Sequence, residues 1–313
     1  MSARQWRVDE RAKQFYSGSS TTGKRFMTEI KSGFPPAITI GNKVLDFSKR
    51  SYLMGILNVT PDSFSDGADY FDPEAAVRHG MQMAECGADI IDVGGESTRP
   101  GADPVCLAEE IRRVVPVIKA LAQKIDVPIS IDTTKADVAV RAVDAGARMI
   151  NDISALRFDP DMAAAVKSSG VPVVLMHMLG RPKNMQKHIR YESLMDDICL
   201  FLKDRVDFAV ENDIEPGRII VDPGIGFGKS VENDNFEILK KLNRVCLLGY
   251  PVLVGASRKA FIGQLLNADV SDRDIGTLAA VSISVHNGAK IVSVHDVSRM
   301  KLALRVADRI LRA

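Results

Sequence analysis

Side chains able to give or take hydrogen bonds recur in this sequence at the end of one apolar run after another. They are Asn58, Asp92 with Glu96, Asp132, Asn151, His177, Asp222, Ser257 to Lys259, and His295. Carboxylates accept, ammonium groups donate, and amides and imidazoles do both, so the set could line a polar binding site. Asn and Asp also cap helices and close turns, so any one of them has an ordinary structural use. The set as a whole is harder to assign to turns. No His-x-His pair or Cys/His cluster is present, which argues against a permanent zinc or iron centre.

The elements that must position these residues follow from periodicity. Apolar runs at 52–57, 89–93, 127–131, 147–150, 171–176, 218–221, 250–254 and 290–294 read as strands. Amphipathic stretches near 73–86, 105–124, 135–145, 160–169, 192–212, 233–243, 259–266, 273–287 and 297–311 read as helices. Eight strand–helix units over about 260 residues predict an α/β chain folded as a (β/α)8 TIM barrel. A doubly wound open sheet would want a Gly-rich dinucleotide turn after the first strand, and none is there. Functional residues of such a barrel belong at the C-terminal ends of its strands, where this set falls. A short N-terminal β-hairpin at 38–46, turning at Gly41–Asn42, is expected to plug the barrel floor. Residues 1–35, with the run SGSSTTG at 17–23, read as a flexible extension; 36–313 reads as the barrel domain.

Composition narrows the classes. The 313 residues are 46% hydrophobic and 26% charged, which excludes a disordered chain, a collagen-like chain and a disulfide scaffold. Lys plus Arg number 41 and Asp plus Glu 40, so there is no global field for nucleic acid or a membrane surface. Any phosphate site must be local. Cys86, Cys106, Cys199 and Cys246 form no C-x-x-C pair and suit a reducing, cytoplasmic location. No run approaches the ~18 apolar residues of a membrane helix.

Certain loops are more particular than turns need to be. The stretch GILNVTPDSFSDG at 55–67 is followed by DVGGESTRPGA at 92–102 and SIDT at 130–133. Then come Asn151–Asp152, DPGIGFGK at 222–229, SRK at 257–259 and VHDV at 294–297. In this order, from about residue 36 to the C-terminus, the motifs resemble those of the dihydropteroate synthases, pterin-binding enzymes of folate biosynthesis. That family joins a dihydropterin hydroxymethyl diphosphate to p-aminobenzoate and releases pyrophosphate.

The resemblance implies roles for individual residues. The pyrimidine edge of a pterin shows N–H donors beside a carbonyl, complementary to a carboxylate and an ammonium. Asp222 and Lys259 match the family's residues for those tasks, and Asn151 and Asp132 match further pterin contacts. Asn58 matches a Mg2+ ligand near the diphosphate, and His295 a phosphate donor. The start of a helix after Ser257 also favours an anion. Two loops match the lids over the second substrate. Asp66 would stabilise a cationic pterin methylene, while Ser63, Phe64, Thr98, Arg99, Pro100 and residue 260 would contact aminobenzoate or organise closure. The resemblance also implies a homodimer through outer helices, and Leu302, Leu304, Val306 and Ile310 of the last helix suit either barrel packing or a dimer seam.

Two positions depart from the pattern. Ser293 stands where the family has an arginine before VHDV, so a charged, forked phosphate contact is absent there. Ala260 stands where a serine hydroxyl is common. A catalytically weakened pterin-binding paralogue is therefore the alternative to a working synthase. A methyltetrahydrofolate-dependent methyltransferase is a more distant one, because lid loops for aminobenzoate have no use in methyl transfer.

Overall fold

A computed structural model of the chain describes residues 36–60 and 72–313. Short runs of Ile, Val, Leu and Met form the strands, since branched side chains pack well on a pleated surface. β1 (Ala37–Ile40) and β2 (Lys43–Asp46) pair as an antiparallel hairpin. There follow β3 (Tyr52–Asn58), β4 (Ile90–Gly94), β5 (Ile129–Asp132), β6 (Met149–Asp152) and β7 (Val173–Met176). The last three are β8 (Ile219–Asp222), β9 (Leu253–Val254) and β10 (Ile291–Val294). β3 to β10 pair in parallel in the order β8-β7-β6-β5-β4-β3-β10-β9. The remaining gap is bridged where Val221 pairs with Val252 and its N–H donates to the Pro251 carbonyl at 3.0 Å. The sheet thereby closes on itself as a barrel and leaves no open edge.

The helices lie outside. They are α1 (Pro73–Cys86), α2 (Leu107–Ala122), α3 (Ala136–Ala145), α4 (Met162–Ser169), α5 (Leu194–Glu211), α6 (Asp234–Lys240), α7 (Asn243–Cys246), α8 (Ala260–Leu266), α9 (Asp274–His286) and α10 (Val297–Leu311). α1 shows why the boundaries are legible: the Asp72 carboxylate accepts from the Glu74 N–H, Pro73 opens the helix, and Gly87 ends it at φ +93°. Two expectations are modified. The helix foreseen at 233–243 breaks into α6 and α7, and the bend at Lys241 lets Leu239, Leu242 and Val245 all reach the core. The strand foreseen at 250–254 shrinks to β9, because Pro251 has no N–H to extend a ladder. No helix among the described residues is long and apolar enough to cross a membrane.

Strand alternation sorts the core into layers. Leu53, Leu57, Ile91, Val93, Ile131, Leu175, Val221 and Val292 face outward into the main cluster shared with the helices. Met54, Ile90, Met149, Val174, Ile220, Leu253 and Ile291 face inward near the strand starts, joined by Ile38, Ile40, Leu45 and Phe47 of the hairpin region. The hairpin thus plugs the barrel floor, as its sequence suggests. Each fully buried Ile or Leu there is worth roughly 1.5–3 kcal/mol. Two residues further along, the same inward face turns polar: Ile90 gives way to Asp92, Met149 to Asn151, Ile220 to Asp222 and Ile291 to Ser293. That second layer forms the site.

Candidate active site

Asp92, deep in the polar layer, accepts from the Asn151 amide at 2.8 Å. Its other oxygen, Asp92 Oδ1, is buried beside the Ser130 hydroxyl, which helps to hold the carboxyl's pKa down; neither atom has a further partner among the described residues, so both keep hydrogen-bonding capacity for a ligand. Burial raises the Asp92 carboxyl above the usual carboxylate range. Asp132, at the end of β5, is raised well above it by burial and then by the neighbouring Asp92, Glu110, Asp152 and Glu96 charges.

Asp222 ends β8. Its Oδ1 accepts from the Gly224 N–H at 2.7 Å, so one oxygen closes the following turn and the other remains for a ligand. Burial pushes its pKa up to about 6, against the Gly224 hydrogen bond and the charges of Lys259 and Lys229. Lys259 comes in from the other side of the loop, with Nζ 4.2 Å from the centre of the Phe227 ring. Burial lowers its pKa to about 8, while Asp222 and Asp132 pull it upward. A lysine that sequence alone could place on the surface is therefore half-buried, held between an aromatic face and two acids.

The adjoining part of the mouth suits an anion. His295 Nδ1 lies 3.0 Å from the Ser257 hydroxyl, which also accepts from the His295 N–H. That hydroxyl has its hydrogen to give Nδ1, an arrangement that leaves Nε2–H to donate outward. Burial, helped by Arg258, Lys259 and Arg99, lowers His295 to about 4, so it is neutral at ordinary pH. Ser293 lies on the inward face of β10, and a Cβ added at nearby Gly255 would meet only the Ser293 Cβ, at 3.8 Å. Ser293 itself is buried. Arg258, at φ +55°, does not supply a charge beside it; its guanidinium holds Asp274 of α9 through bonds of 2.8 and 3.0 Å.

Asn58 ends β3 at the same mouth. Among the described residues no three His, Cys, Asp or Glu side chains gather to hold a metal. One amide oxygen fits a hard cation whose remaining ligands come from substrate and water.

The loop from β4 to α2 carries Thr98, Arg99 and Pro100, with Arg99 and Pro100 exposed. Its root is held firmly: Arg113 donates to the Gly95 carbonyl at 2.9 Å, and Lys135 bridges Glu96 and the buried Glu110. Thr133 adds a 2.6 Å bond to Glu110. Further along, the Gly101 N–H reaches the Pro182 carbonyl at 3.0 Å, and Lys183 pairs with Asp103 at 2.7 Å. Ala260 is exposed at the first position of α8. Ser63, Phe64 and Asp66 lie outside the described residues.

The structure thus brings Asn58, Asp132, Asn151, Asp222, Lys259, Ser293 and His295 to one end of the barrel. It sets His177, Glu96 and Arg258 into its walls. Sequence reasoning placed Asp92 among the strand-end candidates but gave it no particular task, although a lone carboxylate inside the run IIDVGG was a visible signal. Phe227 beneath Lys259 carried no comparable signal, because a Phe in a Gly-rich loop reads as packing.

A closed eight-stranded barrel with paired acid, amide and ammonium groups at its C-terminal mouth defines a small-molecule enzyme. Comparison with known proteins narrows the class. Residues 54–295 match the pterin binding enzyme family. The dihydropteroate synthase of Synechocystis sp. is 45% identical over 287 residues, spanning 91% of this chain and 99% of that protein. The Escherichia coli K12 synthase is 44% identical over 269 residues, 86% of this chain and 94% of the relative. Among solved structures, the Yersinia pestis dihydropteroate synthase in a sulfonamide drug complex superposes with a TM-score of 0.84 at 44% identity, covering 88% of this chain and all of that one. The Xanthomonas albilineans synthase with 4-aminobenzoic acid gives 0.83 at 44% identity, covering 89% and 99%. The same enzyme with 7,8-dihydropteroate gives 0.80 at 41%, covering 89% and 100%. The chain belongs to the pterin-binding enzymes, in the dihydropteroate synthase family.

Proposed function

We propose that this chain condenses 6-hydroxymethyl-7,8-dihydropterin diphosphate with p-aminobenzoate, yielding 7,8-dihydropteroate and pyrophosphate. The observation that carries the reading is the pair Asp222 and Lys259, a buried carboxylate at the end of β8 and a half-buried ammonium packed on Phe227, near enough for each to favour the other's charge. They match the donor and acceptor halves of a pterin edge. Asn151, Asp132 and Asp92 supply the remaining polar contacts within the layer. The methylene–oxygen bond breaks with its electron pair leaving on diphosphate, and the aminobenzoate nitrogen then bonds the methylene and gives up a proton.

His295 donates to the leaving diphosphate, and Ser293 contributes at most one neutral hydroxyl. Asn58 would hold Mg2+, which when bound neutralises diphosphate charge. Ser63, Phe64, Thr98, Arg99, Pro100 and the Ala260 N–H receive aminobenzoate, while Asp66 and Lys259 stabilise the reacting pterin. The polar layer of Asp92, Asp132, Asn151 and Asp222 and the braced Arg99 loop favour turnover over a binding-only role. The match to synthases in sequence and fold favours amine transfer over methyl transfer. We also assign a cytoplasmic homodimer, supported by unpaired thiols among the described residues and by apolar outer faces on α9 and α10.

The test is pyrophosphate release by purified protein with both substrates, with and without Mg2+. Release that needs both substrates is expected. Pterin binding without any aminobenzoate-dependent release would establish the binding-only alternative.

A further inference from the structure

Behind Asp222 lies a lysine that the proposed reaction does not touch. Lys229 ends the loop that Asp222 begins, and its side chain is fully buried. Its Nζ is 2.9 Å from the Pro223 carbonyl, 3.2 Å from the His177 carbonyl and 2.7 Å from His177 Nδ1. As an ammonium Lys229 has three hydrogens and no lone pair, and these three atoms satisfy it completely provided that His177 carries its proton on Nε2. His177 is wedged by Phe201, edge-on at 4.8 Å, and by Tyr191 at 6.0 Å. Tyr191 in turn donates to the Gly228 carbonyl at 2.7 Å, so the far end of the loop is pinned as well.

The atoms Lys229 holds are those that aim Asp222. Pro223 follows it directly, and the His177 N–H donates to the Asp222 carbonyl at 2.9 Å. Gly224 passes so close to the His177 carbonyl that a Cβ there would collide with its oxygen. Only glycine, at φ +70°, can make that approach and still present its N–H to Asp222 Oδ1. A buried ammonium is costly without a counter-charge, and Asp222 is the nearby acid whose charge favours it most.

We propose that Lys229 is a positioning residue for the pterin pocket: from behind the site it clamps the Pro223 and His177 carbonyls that aim Asp222, and sets its own charge at the rear of that acid. Lys259 faces the ligand; Lys229 backs the acid that binds it. This role rests on the pterin reading of Asp222. Asp222 is faced by Lys259 and Lys229; Lys229 by Asp222, His177, Lys259 and Asp234; His177 by Lys229 and Arg157. Burial, with Lys259 adding to it, pushes Lys229 well below the ordinary lysine range, and Asp222 and then Asp234 oppose that shift.

The test is calorimetric binding of 6-hydroxymethylpterin from about pH 5 to about pH 8 in wild type and Lys229→Met. Wild-type affinity should fall as pH drops through about 6, where Asp222 takes up a proton. In the variant that fall should begin about one pH unit or more higher, beyond any uniform loss. An unmoved acid limb, even with weaker binding at every pH, would overturn the proposal and leave Lys229 a fold residue only. Absence of pterin binding by wild type at any pH would sink the pocket assignment itself. If the variant does not fold, 15N spectra of histidine-labelled wild type decide the matter. His177 should hold its proton on Nε2 throughout; an Nδ1–H signal would mean a neutral Lys229 amine and overturn the counter-charge.

Discussion

Asp222 and Lys259 are perturbed in opposite directions by one cause, the loss of water around a charge. Pterin recognition needs the carboxylate ionised and the amine protonated. Below about 6 Asp222 gains a proton and stops accepting from two donors; above about 8 Lys259 loses its proton and its charge. Affinity for a pterin without diphosphate should therefore peak between these values and fall on both sides. Calorimetry showing constant affinity from about pH 5 to about pH 9 would break the pair assignment. Ser293 poses a separate question at the same scale. The commitment of Arg258 to Asp274 means that Ser293→Arg would bring a charge to a position that Arg258 does not serve. A restored charge-assisted contact is worth about 1.5–3 kcal/mol, or about ten- to a hundredfold in KM for the pterin diphosphate. Binding of the pterin alone should change far less. Unchanged or worse kinetics would mean that the site has repacked around serine.

At the scale of elements, the loop from β4 to α2 combines a rigid root with an exposed tip. Lys135, Glu110, Thr133 and Arg113 hold Gly95 and Glu96, whereas Arg99 and Pro100 stand in solvent. A braced root sets where the tip arrives when substrate is present, and small misplacements of reacting groups are expensive. Lys135→Met should lower kcat on the order of ten- to a hundredfold while pterin affinity stays nearly the same. Arg99→Ala should follow the same pattern, because it removes the group that the brace delivers. Equal losses in affinity and turnover would place the loop in the resting pocket instead.

Across the whole molecule, the outer face of α9 and α10 is apolar where a solitary barrel would be polar. Ile275 is 81% exposed, Ile310 69%, Leu302 63% and Val306 61%, while Leu304 turns inward at 5%. Sequence could not separate Leu304 from its neighbours; the barrel wall does. A patch of this kind on adjacent helices suits a second copy of the chain. Ile275→Asp with Val306→Asp should convert a dimer to a folded monomer in sedimentation velocity. Wild-type protein sedimenting as a monomer at micromolar concentration would defeat the homodimer.

Local pattern accounts for what is legible along the chain. Strand positions follow from short β-branched runs, helix ends from Asp72–Pro73 and Gly87, and the barrel class from eight units without a linker. The motifs with Asp222, Lys259 and Asn151 are readable for the same reason, since each is contiguous. Element lengths are less legible: Pro251 inside an apolar run shortens β9, and one helix divides into α6 and α7 as Leu239, Leu242 and Val245 all reach the core. Which polar groups end the strands is thus written in the order of residues. Which of them share the mouth, and which serve its walls, follows only from the folded barrel. That division rests on partners far apart in the chain: His177 with Lys229, Glu96 with Lys135, and Arg258 with Asp274. No local period encodes such pairs, because they meet only when the barrel closes.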